Sequence, residues 1–106
     1  MIDDNADTLL RKAIYAEVEN IKNKHGECYN SIHEGYAVLK EEIEEAAEEM
    51  ERTKNLLAEI WQNCRNDEVK EFMGNAKKMN LYALYLMQEA CQIAAVAEKI
   101  GGKIYE

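Results

Sequence analysis

A chain of 106 residues that is 47% apolar and carries a formal net charge of −8 is long enough to bury one modest core. Its acidic balance, with a pI near 4.8, excludes direct binding to a nucleic-acid backbone, which selects clustered Lys and Arg. The absence of proline, with abundant Ala, Glu, Lys, Leu and Met and few β-branched residues, excludes a sheet protein and predicts one all-α domain over residues 1–106. The three cysteines, Cys28, Cys64 and Cys91, are an odd number with no secretory signal upstream, and they read as reduced thiols of a cytoplasmic protein.

The first helix is predicted from about Asp7 to His25. Leu10, Ala13, Ile14, Val18 and Ile21 keep helical spacing, with Asp7 as N-cap and Gly26 as C-cap. A short turn follows. Ser31 and Glu34, three apart, form a capping box that starts a second helix at Ser31.

That second helix has no stop before Asn63 to Asp67, so it runs to about 50 Å at 1.5 Å per residue, longer than a domain of this size is wide. Either it breaks near Arg52 to Asn55 or its far end packs on another subunit. The apolar stripe is continuous: Ile32, Tyr36, Leu39, Ile43, Ala46, Ala47, Met50, Leu57, Trp61 and Cys64. Asp67 is placed to cap a further helix through Val69, Phe72, Met73 and Ala76, with Gly74 a candidate kink and Gly101-Gly102 ending the run. The count is three long helices, or four if a break is real.

The last stretch, Asn80 to Ile100, carries the most pointed feature of the chain. Between Met79 and Ala97 the only charged residue is Glu89, and on a helical wheel it falls among Tyr82, Tyr85, Leu86, Ile93, Val96 and Ile100. The run approaches the ~20 residues of a membrane span, but Asn80, Gln88, Glu89 and Gln92 make it a buried bundle helix instead. A lone buried carboxylate needs a partner. A Tyr hydroxyl, a Lys or a proton would serve, and so would a divalent ion, with Gln92 one turn on able to point its amide at the same place.

The acidic run Glu41, Glu42, Glu44, Glu45, Glu48, Glu49 and Glu51 reads by itself as a solvated face. Its combination with Glu89 is more informative. Two carboxylates about 4 Å apart repel by about 4 kcal/mol at an effective dielectric near 20, so several converging on one place are tolerable around cations. Mg²⁺ suits such a set because it takes hard oxygen ligands and retains waters that a phosphate can displace, with Mn²⁺ the alternative ion. His25, Cys28 and His33 form H-x-x-C-x-x-x-x-H, a zinc pattern without a defined fourth ligand. No Gly-rich phosphate loop or nucleophile elbow occurs.

Two strings carry a resemblance. Lys24-x-Gly26, then Ser31-x-His33-Glu34-Gly35-Tyr36-Ala37-Val38-Leu39 leading into Glu41-Glu42-Ile43-Glu44-Glu45, and later Glu89 to Ala97, together resemble small bacterial and phage proteins of the MazG-like all-α nucleotide pyrophosphohydrolase superfamily. The resemblance covers about a third of the chain, in order. It implies a helical bundle completed as a homodimer or homotetramer, and Mg²⁺-dependent cleavage of nucleoside triphosphates to monophosphate and pyrophosphate. Matched residue by residue, the superfamily's E-x-x-E falls on Glu42 and Glu45, with Glu41 an auxiliary acid, and its later E-x-x-D falls on Glu89 and Gln92. Gln92 stands where the pattern has Asp, which removes one charge. The spacing between the two motifs is also longer than usual. Tyr36 and Trp61 are the candidates for stacking on the base, although each reads first as plain core.

The rival reading is a non-catalytic helical module in which the second helix mediates self-association and Glu89 with Gln92 fixes register. A third is an accessory protein that binds nucleotide without turnover.

Overall fold

The computed structural model describes residues 1–102, and every regular element among them is a helix: α1 (Asp4–His25), α2 (Ile32–Arg65) and α3 (Val69–Gly102). The protein is an all-α helical bundle of three long helices, and no described helix is long and apolar enough to cross a membrane. Packing gathers the chain into two compact units, one of residues 1–43 together with the chain from Ala90 onward, the other spanning Glu44–Glu89.

α1 begins one turn earlier than the sequence suggests. Asp3, not Asp7, is the N-cap, and its carboxylate accepts the Ala6 N–H at 2.9 Å. Asp7 instead sits in the first turn, where its charge suits the helix dipole and accepts from Arg11 Nε at 2.9 Å. Gly26 ends the helix as expected: its φ of 90° is open to glycine, and its N–H reaches the Lys22 carbonyl at 2.8 Å. Val18 and Ile21 of α1 meet Tyr29, Ala95 and Val96 in the core of the first unit, with Ile14, Val38, Leu39 and Ile100 packed around them.

At the start of α2, Ser31 Oγ accepts the Glu34 N–H at 3.2 Å. Glu34 does not return the bond to Ser31 as a full capping box would. It reaches Asn30 instead, accepting the backbone N–H at 3.3 Å and the side-chain amide at 3.1 Å. α2 then runs 34 residues without a break, through Arg52 to Asn55. Its end is set by Asp67, which adopts φ 53° and directs its N–H to the Cys64 carbonyl at 3.3 Å while Glu68 N–H reaches Asn63 at 2.9 Å. Those paired bonds are a Schellman motif. Asp67 therefore closes α2 and does not cap α3. α3 passes through Gly74 unbroken.

In the second unit α2 and α3 form a helical hairpin. The least exposed positions, Ala46, Glu49, Thr53, Leu56, Ile60 and Asn63 on α2 and Asn75, Met79, Tyr82, Leu86 and Glu89 on α3, follow alternating three- and four-residue steps. At the turn end Asn75 Nδ2 donates to Asn63 Oδ1 at 2.7 Å. Leu56, 3% exposed, is the one fully buried residue of the hairpin. The apolar stripe read from the sequence is displaced by one position from this seam, about 100° round the helix, and its largest members face solvent: Ile32, Tyr36, Ile43, Met50, Leu57 and Trp61 are all exposed.

Candidate functional site

Helical continuity places Glu42 and Glu45 three residues apart on α2, on one face of that helix. Within the second unit Glu45 also offers an oxygen within 4.8 Å of one on Glu89 of α3. Glu45 is exposed, and Glu42 and Glu89 are half-buried.

Glu89 is held in an unfavourable setting for a carboxylate. Its Oε2 is buried and has no hydrogen-bond donor. Burial, followed by the charges of Glu45 and then Glu49, pushes its carboxyl above the ordinary value of 4.5. Glu49, one turn beyond Glu45, is ion-paired with Arg52. The expectation that Glu89 is screened from solvent among apolar residues is met at this one oxygen, although neighbouring Tyr85 is exposed.

Gln92 is hydrogen-bonded within the first unit. Its Nε2 donates to Glu17 Oε1 of α1 at 3.1 Å. Gln92, Glu41 and Glu42 line a cleft of about 500 Å³ in that unit, together with Ile21, His25, Tyr29, Glu34, Val38 and Val96. Tyr29 lies almost wholly inside, and burial, then Glu42 and Glu34, raise its phenol above 10.0. The two stacking candidates both face solvent. Tyr36 is 67% exposed and Trp61 57% exposed, so neither is core, and neither lines this cleft.

Two residues of the first unit escaped the sequence reading. Lys99 is 2% exposed, its Nζ has no hydrogen-bond partner, and that nitrogen stands 4.1 Å from the centre of the Tyr29 ring. Its position three residues after Val96 and four after Ala95 was the available signal, because those two residues are core. Glu17, partner of Gln92, is 75 residues away in sequence and left no such signal.

All three cysteines are free thiols, with Cys64 exposed. Among the described residues, His25, Cys28 and His33 are not brought together as a ligand group; the acidic set is the group of that kind. Comparison with family models, with curated proteins and with solved structures returned no match.

Proposed function

We propose that this chain is a metal-dependent nucleoside triphosphate pyrophosphohydrolase, with Glu45 and Glu89 of the second unit as the central metal ligands. The observation that carries the reading is the buried, donorless Oε2 of Glu89 with a Glu45 oxygen within 4.8 Å of the same carboxylate group. A hard divalent cation fits this donor set, since every ligand atom is a carboxylate oxygen and the cation answers both the desolvation and the repulsion. When bound, Mg²⁺ or Mn²⁺ supplies charge neutralisation for a triphosphate and activation of water. The chain's own part is positioning: α2 and α3 hold the acids on rigid helical backbone, and Arg52 ties down Glu49 beside them. The balanced reaction is triphosphate plus water giving monophosphate and pyrophosphate.

Gln92 is not included among the central ligands in this reading, because it belongs to the first unit, where its Nε2 donates to Glu17. Glu41, exposed on α2 and beside the cleft, acts as an auxiliary acid. The protein works as a homodimer or homotetramer in the cytoplasm.

The test is release of pyrophosphate from a panel of ribo- and deoxyribonucleoside triphosphates, with Mg²⁺ and with chelator, on wild type beside Glu45→Ala and Glu89→Ala. Metal-dependent turnover lost in both variants is the expected result. No turnover on any triphosphate would overturn the enzymatic reading. A second reading, a non-catalytic association module, is favoured by the exposed apolar stripe of α2.

A further inference from the structure

The cleft of the first unit takes one wall from a single face of α2. Glu34, Val38, Glu41 and Glu42 all line it, at steps of four, three and one along the helix. An acid, an apolar turn and two further acids thus follow one another, with Glu34 and Glu41 separated by roughly 10 Å at 1.5 Å per residue. Ile21 and Val96 complete the apolar part of the lining. Among the described residues no Lys or Arg lines the cleft; the Lys99 ammonium lies over the ring of Tyr29 instead.

An acidic face by itself reads as a solvated one. Tyr29 sets this face apart. It is 5% exposed and lines the cleft, and its hydroxyl makes no hydrogen bond with another described residue. The polar side-chain atoms that are both sealed and unbonded belong to Glu89 and Lys99, so the Tyr29 oxygen is unbonded but still reachable. It opens into the cleft, because the charges that act on the phenol are those of Glu42 and Glu34, both cleft residues. Buried Tyr hydroxyls ordinarily have a partner, and this one has none. Gln92 adds an acceptor beside it: its Nε2 donates to Glu17, which leaves its amide oxygen to accept.

The acids of the cleft do not converge. Among the described residues Glu34, Glu41 and Glu42 do not form a group with oxygens all within 4.8 Å of one another, so one small metal ion does not satisfy the three. A ligand matched to this wall carries positive charge at two ends and hydrocarbon between them.

We propose that the cleft binds a linear aliphatic diamine or polyamine, with methylenes on Val38, one ammonium on Glu34, the next on Glu41 and Glu42, and the Tyr29 oxygen accepting an ammonium proton. About four methylenes between two ammonium groups, each reaching an oxygen at about 2.8 Å, cover the interval. The site lies wholly within the first unit and does not rest on a metal at Glu45 and Glu89, so turnover of a triphosphate has no bearing on it.

The test is calorimetric titration of the full chain with putrescine, beside n-butylamine and Mg²⁺, at an ionic strength of about 0.15 M that screens loose association with a chain of net charge −8. One putrescine per chain is expected, with n-butylamine at least tenfold weaker and Mg²⁺ displacing nothing beyond its effect on ionic strength. Glu34→Gln and Glu41→Gln should each weaken binding about tenfold. Tyr29→Phe, which keeps the ring beside Lys99, should weaken it about threefold to tenfold. Methyl NMR of the wild type keeps the proposal open to refutation even if a variant unfolds: Val38 and Val96 should shift with putrescine, and Leu56 in the second unit should not. No saturation by about 10 mM putrescine would overturn the proposal. So would equal affinity for n-butylamine, which means a site for one cation, or displacement by Mg²⁺ mole for mole, which means a metal site. Affinity indifferent to all three substitutions, or methyl shifts outside the cleft alone, would mean diffuse attraction to an acidic protein and would overturn it equally.

Discussion

Glu45 and Glu89 face each other within the helical hairpin, with carboxylate oxygens within 4.8 Å and one Glu89 oxygen, Oε2, cut off from both solvent and donors. Among the described residues no hydrogen-bond donor meets that oxygen, and Arg52 is ion-paired with Glu49. The pair therefore opposes folding until a cation or a proton arrives.

Metal linkage follows directly. Removing one charge with Glu89→Gln should stabilise the metal-free protein by about 1 kcal/mol after solvent screening, or roughly 4–8 °C in Tm for a domain of this size. Mg²⁺ at about a hundred times its Kd should raise wild-type stability by about 2.7 kcal/mol and leave Glu89→Gln nearly unmoved. Thermal melts with Mg²⁺ and with chelator measure both effects. Identical melts of wild type in the two conditions would remove the cation from the account.

Protons should substitute for the cation, with a defined sign. Glu89 has a folded-state value above its ordinary 4.5, so between those two values the folded state binds more protons than the unfolded state. Stability contributed by this group is then lost as pH rises through that window and is constant above it. In metal-free buffer the advantage of Glu89→Gln over wild type should be absent below pH 4.5, grow above it and level off toward neutrality. An advantage that stays flat across that range would place the strain elsewhere.

The fold was legible where local signals are strong. Composition, the Gly26 stop, the Ser31 start and the uninterrupted spacing of α2 all report on backbone preferences a few residues wide. Glu89 was legible because one charge in a long apolar run has few explanations. The face of α2 that turns inward was not, since Met50 and Leu57 are more apolar than their neighbours Glu49 and Thr53, yet the seam with α3 takes the latter. Hydrophobic periodicity finds a stripe but not the face that packs, and here the largest side chains of the stripe stay exposed. Asp67 misled for a related reason: an Asp before a helix suggests an N-cap, but its local conformation satisfied the carbonyls behind it. The Gln92 bond to Glu17 depends on tertiary packing alone.

In the first unit, Lys99 and Tyr29 should be energetically coupled. The ammonium has no hydrogen-bond acceptor, and the ring 4.1 Å away is its available stabilisation in a site closed to water. Tyr29→Leu should cost about 2–4 kcal/mol through lost packing and an abandoned buried charge. Lys99→Met, of similar shape and uncharged, should cost little or stabilise. In the double variant the penalty of Tyr29→Leu should shrink by about 1–2 kcal/mol, read from urea denaturation. Additive single effects would mean that the contact carries no energy.

The turn between α2 and α3 offers the simplest stabilisation of the hairpin. Asp67 holds φ 53°, a conformation that an L side chain adopts against steric resistance and glycine adopts freely. Its side chain appears in no hydrogen bond or ion pair with another described residue, so little is lost with it. Asp67→Gly should therefore stabilise by about 0.5–1 kcal/mol, the relieved strain exceeding the extra freedom glycine gives the unfolded chain. Asp67→Val, β-branched at the same φ, should destabilise by about 1 kcal/mol or more. Equilibrium urea melts at neutral pH separate the two, and because the paired N–H bonds to Cys64 and Asn63 use backbone alone, both variants should keep their helical circular dichroism. Were Asp67→Gly less stable than wild type, the aspartate would have to be contributing through its charge just before α3, where the helix dipole favours an acid.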